Sequence, residues 1–272
     1  MNKRELSKRS QVSIFIIIAI VIVAIIGLFF MFRGSPENKP TSQIFDISSF
    51  KPYVDECLRS VSKEAVFSIG EHGGYYFVPE NSLNYISYNV PIYMDKKEKF
   101  VPSKEVVEKE LGSYIKDALP ICFDYFSGFK ASGYSVSLGE IQISPKIKED
   151  SIDINAKIPL TIKKGESTNE YEDFSTTVKP VYLPKLLALS NDIVNEEAIS
   201  PESICLTCID EEADKYGVEI ELIETPINNE FIYSIKDSQS NLTTNETLKF
   251  SFAARYDFPE CKNTEECFNE LQ

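Results

Sequence analysis

Residues 11–32 read QVSIFIIIAIVIVAIIGLFFMF, twenty-two positions without one charged side chain. At 1.5 Å per residue a helix over this stretch is about 33 Å long, and a bilayer's hydrocarbon core is about 30 Å thick. The expectation is a transmembrane helix over residues 11–32, which makes the lipid bilayer the first partner. A cleaved secretory signal is the rival reading, but its apolar core runs only about 7–15 residues before a small-residue cleavage site. This stretch is longer, and Arg33-Gly34-Ser35-Pro36 is a poor cleavage site.

The flanks set the orientation. Residues 1–10 hold Lys3, Arg4, Lys8 and Arg9 against Glu5, a net +3. Basic flanks resist export, so the N-terminus is expected in the cytoplasm and residues 33–272 outside the cell membrane. The chain carries −14 in all, so −14 less +3 leaves −17 beyond residue 10. An exterior that acidic argues against nucleic acid or anionic lipid as its ligand.

Lys8-Arg9-Ser10-Gln11-Val12-Ser13 stands at the membrane boundary. The run resembles the archaeal class III (type IV pilin-like) signal, in which a basic pair and a small residue precede a Gln that begins the mature helix. The resemblance implies processing between Ser10 and Gln11 and a helix that packs into a filament core. Ser10 stands where Gly is usual, and Phe15 where an acidic residue is common. Residues 33–45, with Pro36 and Pro40, read as a linker that interrupts the helix, whereas a pilin helix runs on into its head.

The exterior reads as α+β. Val54, Cys57, Leu58, Val61, Ala65 and Ile69 recur at helical spacing, with Ser48 or Ser49 as cap and Gly70, Gly73 and Gly74 as stop. The aromatic run from Tyr75 to Tyr93, broken by Pro79 and Pro91, predicts short strands or extended loops. A second helix is expected from Ser103 to about Phe126. Tyr134, Val136 and Leu138 then alternate, with a phase slip at Gly139 before Ile141 and Ile143. Strict alternation over Ile152, Ile154, Ala156, Ile158, Leu160 and Ile162 predicts a strand with one buried face, and Pro159 marks an edge or unpaired position on the other. A third strand covers about Tyr171 to Val178.

The order then recurs. A helix is expected over Pro184–Ile199, another from Ser200-Pro201, and three strands after Val218, Phe231 and Leu248. The expected organisation is two exported subdomains, 46–180 and 181–272, each with a helix pair and an antiparallel three-stranded sheet, an arrangement that fits internal duplication. The layout, with YVDECLRSV, GGYY, LPICFDYF and SICLTCI, resembles archaeal single-pass membrane-anchored proteins. That resemblance implies an exported domain and brings no activity with it.

Cysteine usage speaks to the compartment. Cys57, Cys122, Cys205, Cys208, Cys261 and Cys267 form an even set in an exported domain, which favours disulfides. Sequence leaves the pairing open; the favoured set is Cys57–Cys122, Cys205–Cys208 and Cys261–Cys267. The CxxC at Cys205 and Cys208 is the sharpest chemical candidate, since such a pair in a first helical turn suits thiol–disulfide exchange. A structural disulfide is the blander reading of the same residues.

Other chemistry is thin. His72 is the one histidine, in a glycine-rich turn that suits the end of a helix. A histidine-rich metal site is therefore excluded, and a four-cysteine zinc site lacks a second close pair. No phosphate-binding glycine loop occurs, so no cofactor is expected. The acidic pairs Glu149-Asp150, Glu172-Asp173 and Glu196-Glu197 and the run Asp210-Glu211-Glu212 read as solvated faces. Asn241-Leu-Thr and Asn245-Glu-Thr are glycosylation sequons. Tyr75, Tyr76 and Phe77, with Tyr85, Tyr88 and Tyr93, form either an aromatic recognition surface or plain core. The leading expectation is a non-enzymatic surface protein for binding, adhesion or envelope structure, with a protein or glycan partner and an oligomeric state the sequence leaves open. The alternatives are a pilin-like filament subunit and an exported CxxC oxidoreductase.

Overall fold

The computed structural model describes residues 46–85, 88–227, 229–241 and 247–259. The expected membrane helix 11–32, the linker, Ser10, Gln11, Cys261, Cys267 and Asn245 lie outside the described residues. Among the described residues no helix is long and apolar enough to cross a membrane.

The fold is built around helix α1, Phe50–Glu71. A 3-10 turn, Ile47–Ser49, leads into it, and the cap on that turn comes from Asp46, whose carboxylate accepts from Ile47 N at 2.7 Å. The expected serine cap is thus replaced by an aspartate one turn earlier. Val54, Cys57, Leu58, Val61, Ala65 and Ile69 are buried, so the helical stripe read from the sequence is the packed face. Gly70 lets α1 meet a strand closely: a Cβ there would stand 2.3 Å from the Lys249 carbonyl oxygen. The helix stops at Gly73 and Gly74, whose φ of +54° and +84° suit glycine.

Strands β1 (Ser82–Tyr85), β2 (Tyr88–Asp95) and β3 (Glu98–Lys99) follow. Helix α2, Lys104–Cys122, opens on Ser103, whose hydroxyl accepts from Val106 N. It ends sooner than expected. Asp124, Tyr125 and Phe126 all take left-handed φ (43°, 50°, 59°), and a short helix α3, Ser127–Ala131, continues the chain. Phe126 is held in that geometry by stacking on Phe50 at 5.3 Å and Phe123 at 4.9 Å.

Strands β4 (Ser135–Leu138), β5 (Gln142–Ile147), β6 (Ile152–Lys164) and β7 (Ser167–Val178) form an antiparallel sheet. β6 is its centre, with β7 along one edge and β4 and β5 in tandem along the other. The phase slip at Gly139 is the gap between β4 and β5. There Pro159 sits opposite a register shift in β7 and its carbonyl accepts from Gly139 N at 2.7 Å. A proline with no N–H to donate is placed where the ladder needs none.

Helices α4 (Leu183–Glu197) and α5 (Leu206–Tyr216) lead to β8 (Glu219–Glu224), β9 (Glu230–Asn241) and β10 (Thr247–Arg255). α5 starts later than expected from Ser200-Pro201, because Cys205 and not Ser200 supplies the cap. The sheets also differ from expectation. β8, β9 and β10 are antiparallel, but β2 joins β10 in parallel and carries β1 and β3 with it, giving six strands. Segments on both sides of residue 180 therefore build one sheet, and one hydrophobic cluster spans both. The architecture is α+β, with α1 packed on β7 of one sheet and β10 of the other.

Aromatic rings tie the six-stranded sheet across its strands. Tyr93 of β2 and Tyr233 of β9 stack on either side of Phe252 of β10, both at 4.8 Å. Cys57 of α1 and Cys122 of α2 form the expected disulfide, with Cα atoms 5.8 Å apart and a sequence separation of 65. A loop of that size stabilises by about 4 kcal/mol through chain entropy.

Candidate functional site

A surface groove of about 530 Å³ lies between α1 and α2 and gathers both aromatic and acidic side chains. Helix α2 contributes Tyr114, Asp117, Ala118 and Ile121, spaced i, i+3, i+4 and i+7 and so on one face. Helix α1 contributes Ser60, Val61 and Glu64, and Cys122 of the disulfide completes the lining. Tyr76 enters from the loop after α1. That loop is fixed by Glu110, whose Oε2 accepts from the backbone N of Tyr76 at 3.0 Å and of Phe77 at 2.9 Å.

The groove combines aromatic rings with negative charge. Tyr76 meets Tyr114 edge-on at 5.1 Å and Phe77 at 4.4 Å. The Tyr114 hydroxyl donates to Glu64 Oε1 at 3.0 Å. Burial and the neighbouring Glu64 push the Tyr114 hydroxyl up to about 12, and burial and Asp117 raise Tyr76. Both hydroxyls therefore stay protonated donors at neutral pH. No lysine or arginine of the described residues pairs with Glu64 or Asp117. Elsewhere Lys146 meets Glu108 and Arg255 bridges Asp95 and Glu230.

Apolar side chains lie exposed at this groove and in the segment that follows α2. Ile121 is 73% exposed, Tyr125 69% and Phe77 63%. Tyr125 is turned outward by the three left-handed residues that follow α2. Such backbone strain costs about 1–3 kcal/mol per residue and is kept where the surroundings fix it.

A second site lies at the start of α5. Cys205 and Cys208 are disulfide-bonded, with Cα atoms 5.2 Å apart. Cys205 Sγ accepts from Cys208 N at 3.3 Å. Behind it Glu197, the last residue of α4 and only 3% exposed, accepts from Cys205 N at 3.2 Å and from the Tyr256 hydroxyl at 3.0 Å. Tyr256 in turn bonds the Tyr233 hydroxyl. Burial lifts the Glu197 carboxyl above its ordinary range, against the pull of these two donors.

The other candidates fall out as follows. His72 caps α1, its Nδ1 2.7 Å from the Ser68 carbonyl oxygen. The aromatic run divides: Tyr93 is fully buried and donates to Gly73 O at 2.5 Å, Tyr75 packs on the core, and Phe77 is exposed. Tyr85 packs against a smaller cluster of Leu83, Val90, Ile92, Ile232 and Ala253. Glu172 pairs with Lys157 and Glu212 with Lys215, both at 2.9 Å, while Glu149 and Asp150 lie exposed after β5. Asn241 closes β9. Among the described residues no group of three or more acidic, cysteine or histidine side chains is placed to hold a metal.

The sequence reading missed Glu64, Asp117, Tyr114 and Ile121 as a group, and Glu197 as a buried acid. The one local signal is the helical spacing of Tyr114, Asp117, Ala118 and Ile121 within the expected second helix. No protein-family model, curated protein or solved structure matches the chain.

Proposed function

We propose that the chain is a single-pass membrane protein that holds residues 1–10 in the cytoplasm and presents the α+β domain outside as a binding or adhesion module. The anchor reading rests on residues 11–32 and their basic flank. Two closed cysteine pairs in the domain support an oxidising exterior.

The observation that carries the binding role is the α1/α2 groove. Two carboxylates without basic partners among the described residues, two tyrosines and exposed apolar neighbours favour a partner surface that brings a basic side chain flanked by apolar ones. A photoreactive side chain placed at Ile121 in the full-length chain, in its own membrane, tests this, with Asn155 on the outer sheet face as control. A discrete adduct from position 121, lost when Glu64→Gln and Asp117→Asn are combined, is expected. Equal adducts from both positions, or none from position 121, sink the reading.

The duplication reading is supported by β5–β6–β7 and β8–β9–β10, each an antiparallel meander after helices, and opposed by β2, which joins β10 across the proposed boundary. The pilin-like reading rests on Ser10 and Gln11, and no feature of the domain favours it over a plain anchor.

A further inference from the structure

The two disulfides of this domain differ in the chain they span and in what they tie together, although Cys122 is half-buried as Cys205 and Cys208 are. Cys57–Cys122 spans 65 residues and joins two core helices, and Cys57 is buried. Cys205–Cys208 spans three residues within the first turn of α5, and both its cysteines are half-buried. Opening the first would cut a long-range tie. Opening the second leaves every layer of the fold joined, because the bond that holds Cys205 in place runs from its backbone N to Glu197 and does not involve sulfur.

The surroundings of Cys205 favour a thiolate. Its Sγ receives the Cys208 N–H at 3.3 Å, with the Thr207 hydroxyl 3.6 Å away. It stands at the positive end of an eleven-residue helix. These donors stabilise an anion on that sulfur and lower the cost of reducing the pair. Glu197 of α4, whose carboxyl group lies against the Cys205 amide, and Asp210, Glu211 and Glu212, farther along α5, oppose this with their charge.

The surface beside the pair is apolar. Leu206, between the two cysteines, is 62% exposed, and Ile199, just past α4, is 69% exposed. Leu206 thus offers an exposed apolar contact between the two cysteines, which suits an extended protein segment.

We infer that Cys205–Cys208 is a redox-active pair that exchanges with dithiols of protein segments carrying apolar residues, with Cys205 as the leaving and resting thiolate. The substrate's first thiolate attacks Cys208 Sγ; the Cys205–Cys208 bond breaks and its electron pair leaves on Cys205. The substrate's second thiol gives its proton to water and attacks the mixed disulfide, which releases Cys208 as a thiolate that takes up a proton. The substrate loses two electrons and becomes a disulfide, and the CxxC pair is reduced. A substrate disulfide runs the same steps backwards.

The full-length chain in micelles is equilibrated with reduced and oxidised glutathione, and each cysteine is read by alkylation and peptide mass spectrometry. Cys205–Cys208 is expected to be reduced at least tenfold more readily than Cys57–Cys122, with the circular dichroism of the fold unchanged. Alkylation of Cys205 in that reduced chain is expected to show a midpoint below the ordinary thiol value of about 8.5. The oxidised chain is expected to convert one equivalent of the reduced peptide Leu-Cys-Gly-Gly-Cys-Leu to its disulfide. Reduction of both pairs together, loss of the fold with Cys205–Cys208 open, a midpoint at or above the ordinary value, or failure to oxidise the peptide each overturns the inference. None of these readouts depends on a variant that must fold.

Discussion

Two of the domain's tyrosine–carboxylate contacts stand in opposite settings, one wet and one dry. In the α1/α2 groove Glu64 and Asp117 are exposed and Tyr114 reaches Glu64 from a half-buried position. At the junction of α4, α5 and β10, Glu197, Tyr256 and Tyr233 are almost wholly buried, and Glu197 must satisfy a backbone amide besides. The same pair of functional groups therefore does two jobs. In water the pair costs little to break and leaves the carboxylates free for a further donor. In the dry site each missing partner leaves a polar group stranded, so the network fixes the geometry of its neighbours.

That contrast can be broken most severely at Glu197. Glu197→Ala strands the buried Tyr256 hydroxyl and the half-buried Cys205 amide, and is expected to destabilise by about 3 kcal/mol. Urea unfolding of the full-length chain in micelles, followed by tyrosine fluorescence, reads this directly; a loss within ~1 kcal/mol would mean that the network is not structural.

A smaller effect separates the sites by pH. Burial raises the folded Glu197 carboxyl above its ordinary 4.5, so the folded state holds this proton more tightly than the unfolded one. Its contribution is full below 4.5 and is lost as pH rises through the folded value. Unfolding measured at several pH values upward from 4.5 is expected to show a falling component that Glu197→Gln flattens. An identical slope in the variant would refute that assignment.

The smallest effect is expected in the groove. Tyr114→Phe removes one exposed-side hydrogen bond to Glu64 and should change stability by less than about 0.5 kcal/mol. A loss near that of a buried hydroxyl, about 2 kcal/mol, would erase the distinction between the wet and dry sites.

How much of this could be read from the chain depends on the range of the signal. The buried face of β6 follows from alternation over residues 152–162, and the stripe of α1 from helical spacing, since both patterns are set by neighbours a few residues apart. The Cys57–Cys122 tie was legible too, because each cysteine lies on an expected helix. The parallel pairing of β2 with β10 was not, because periodicity shows that a strand has a buried face and not which strand lies beside it. The groove was illegible for a similar reason. Glu64 and Asp117 look like any other exposed charges until α1 and α2 are packed together and Glu110 pins the loop. The late start of α5 depends on Glu197 reaching the Cys205 amide, a contact across a turn that no local propensity encodes.

The pairing of β2 with β10 also imposes an order of events on the chain. Arg255 of β10 bonds Asp95 of β2 across 160 residues, and Ala253 lies opposite Ile92. While the polypeptide is being made, β2 must therefore wait, with only its hairpin neighbours beside it, until nearly the last described strand arrives. The β4–β7 sheet needs no such delay, since its strands are consecutive. Assembly is thus timed by the last described strand, and a chain cut short before residue 247 would leave an open, apolar strand edge as a ready template for clumping.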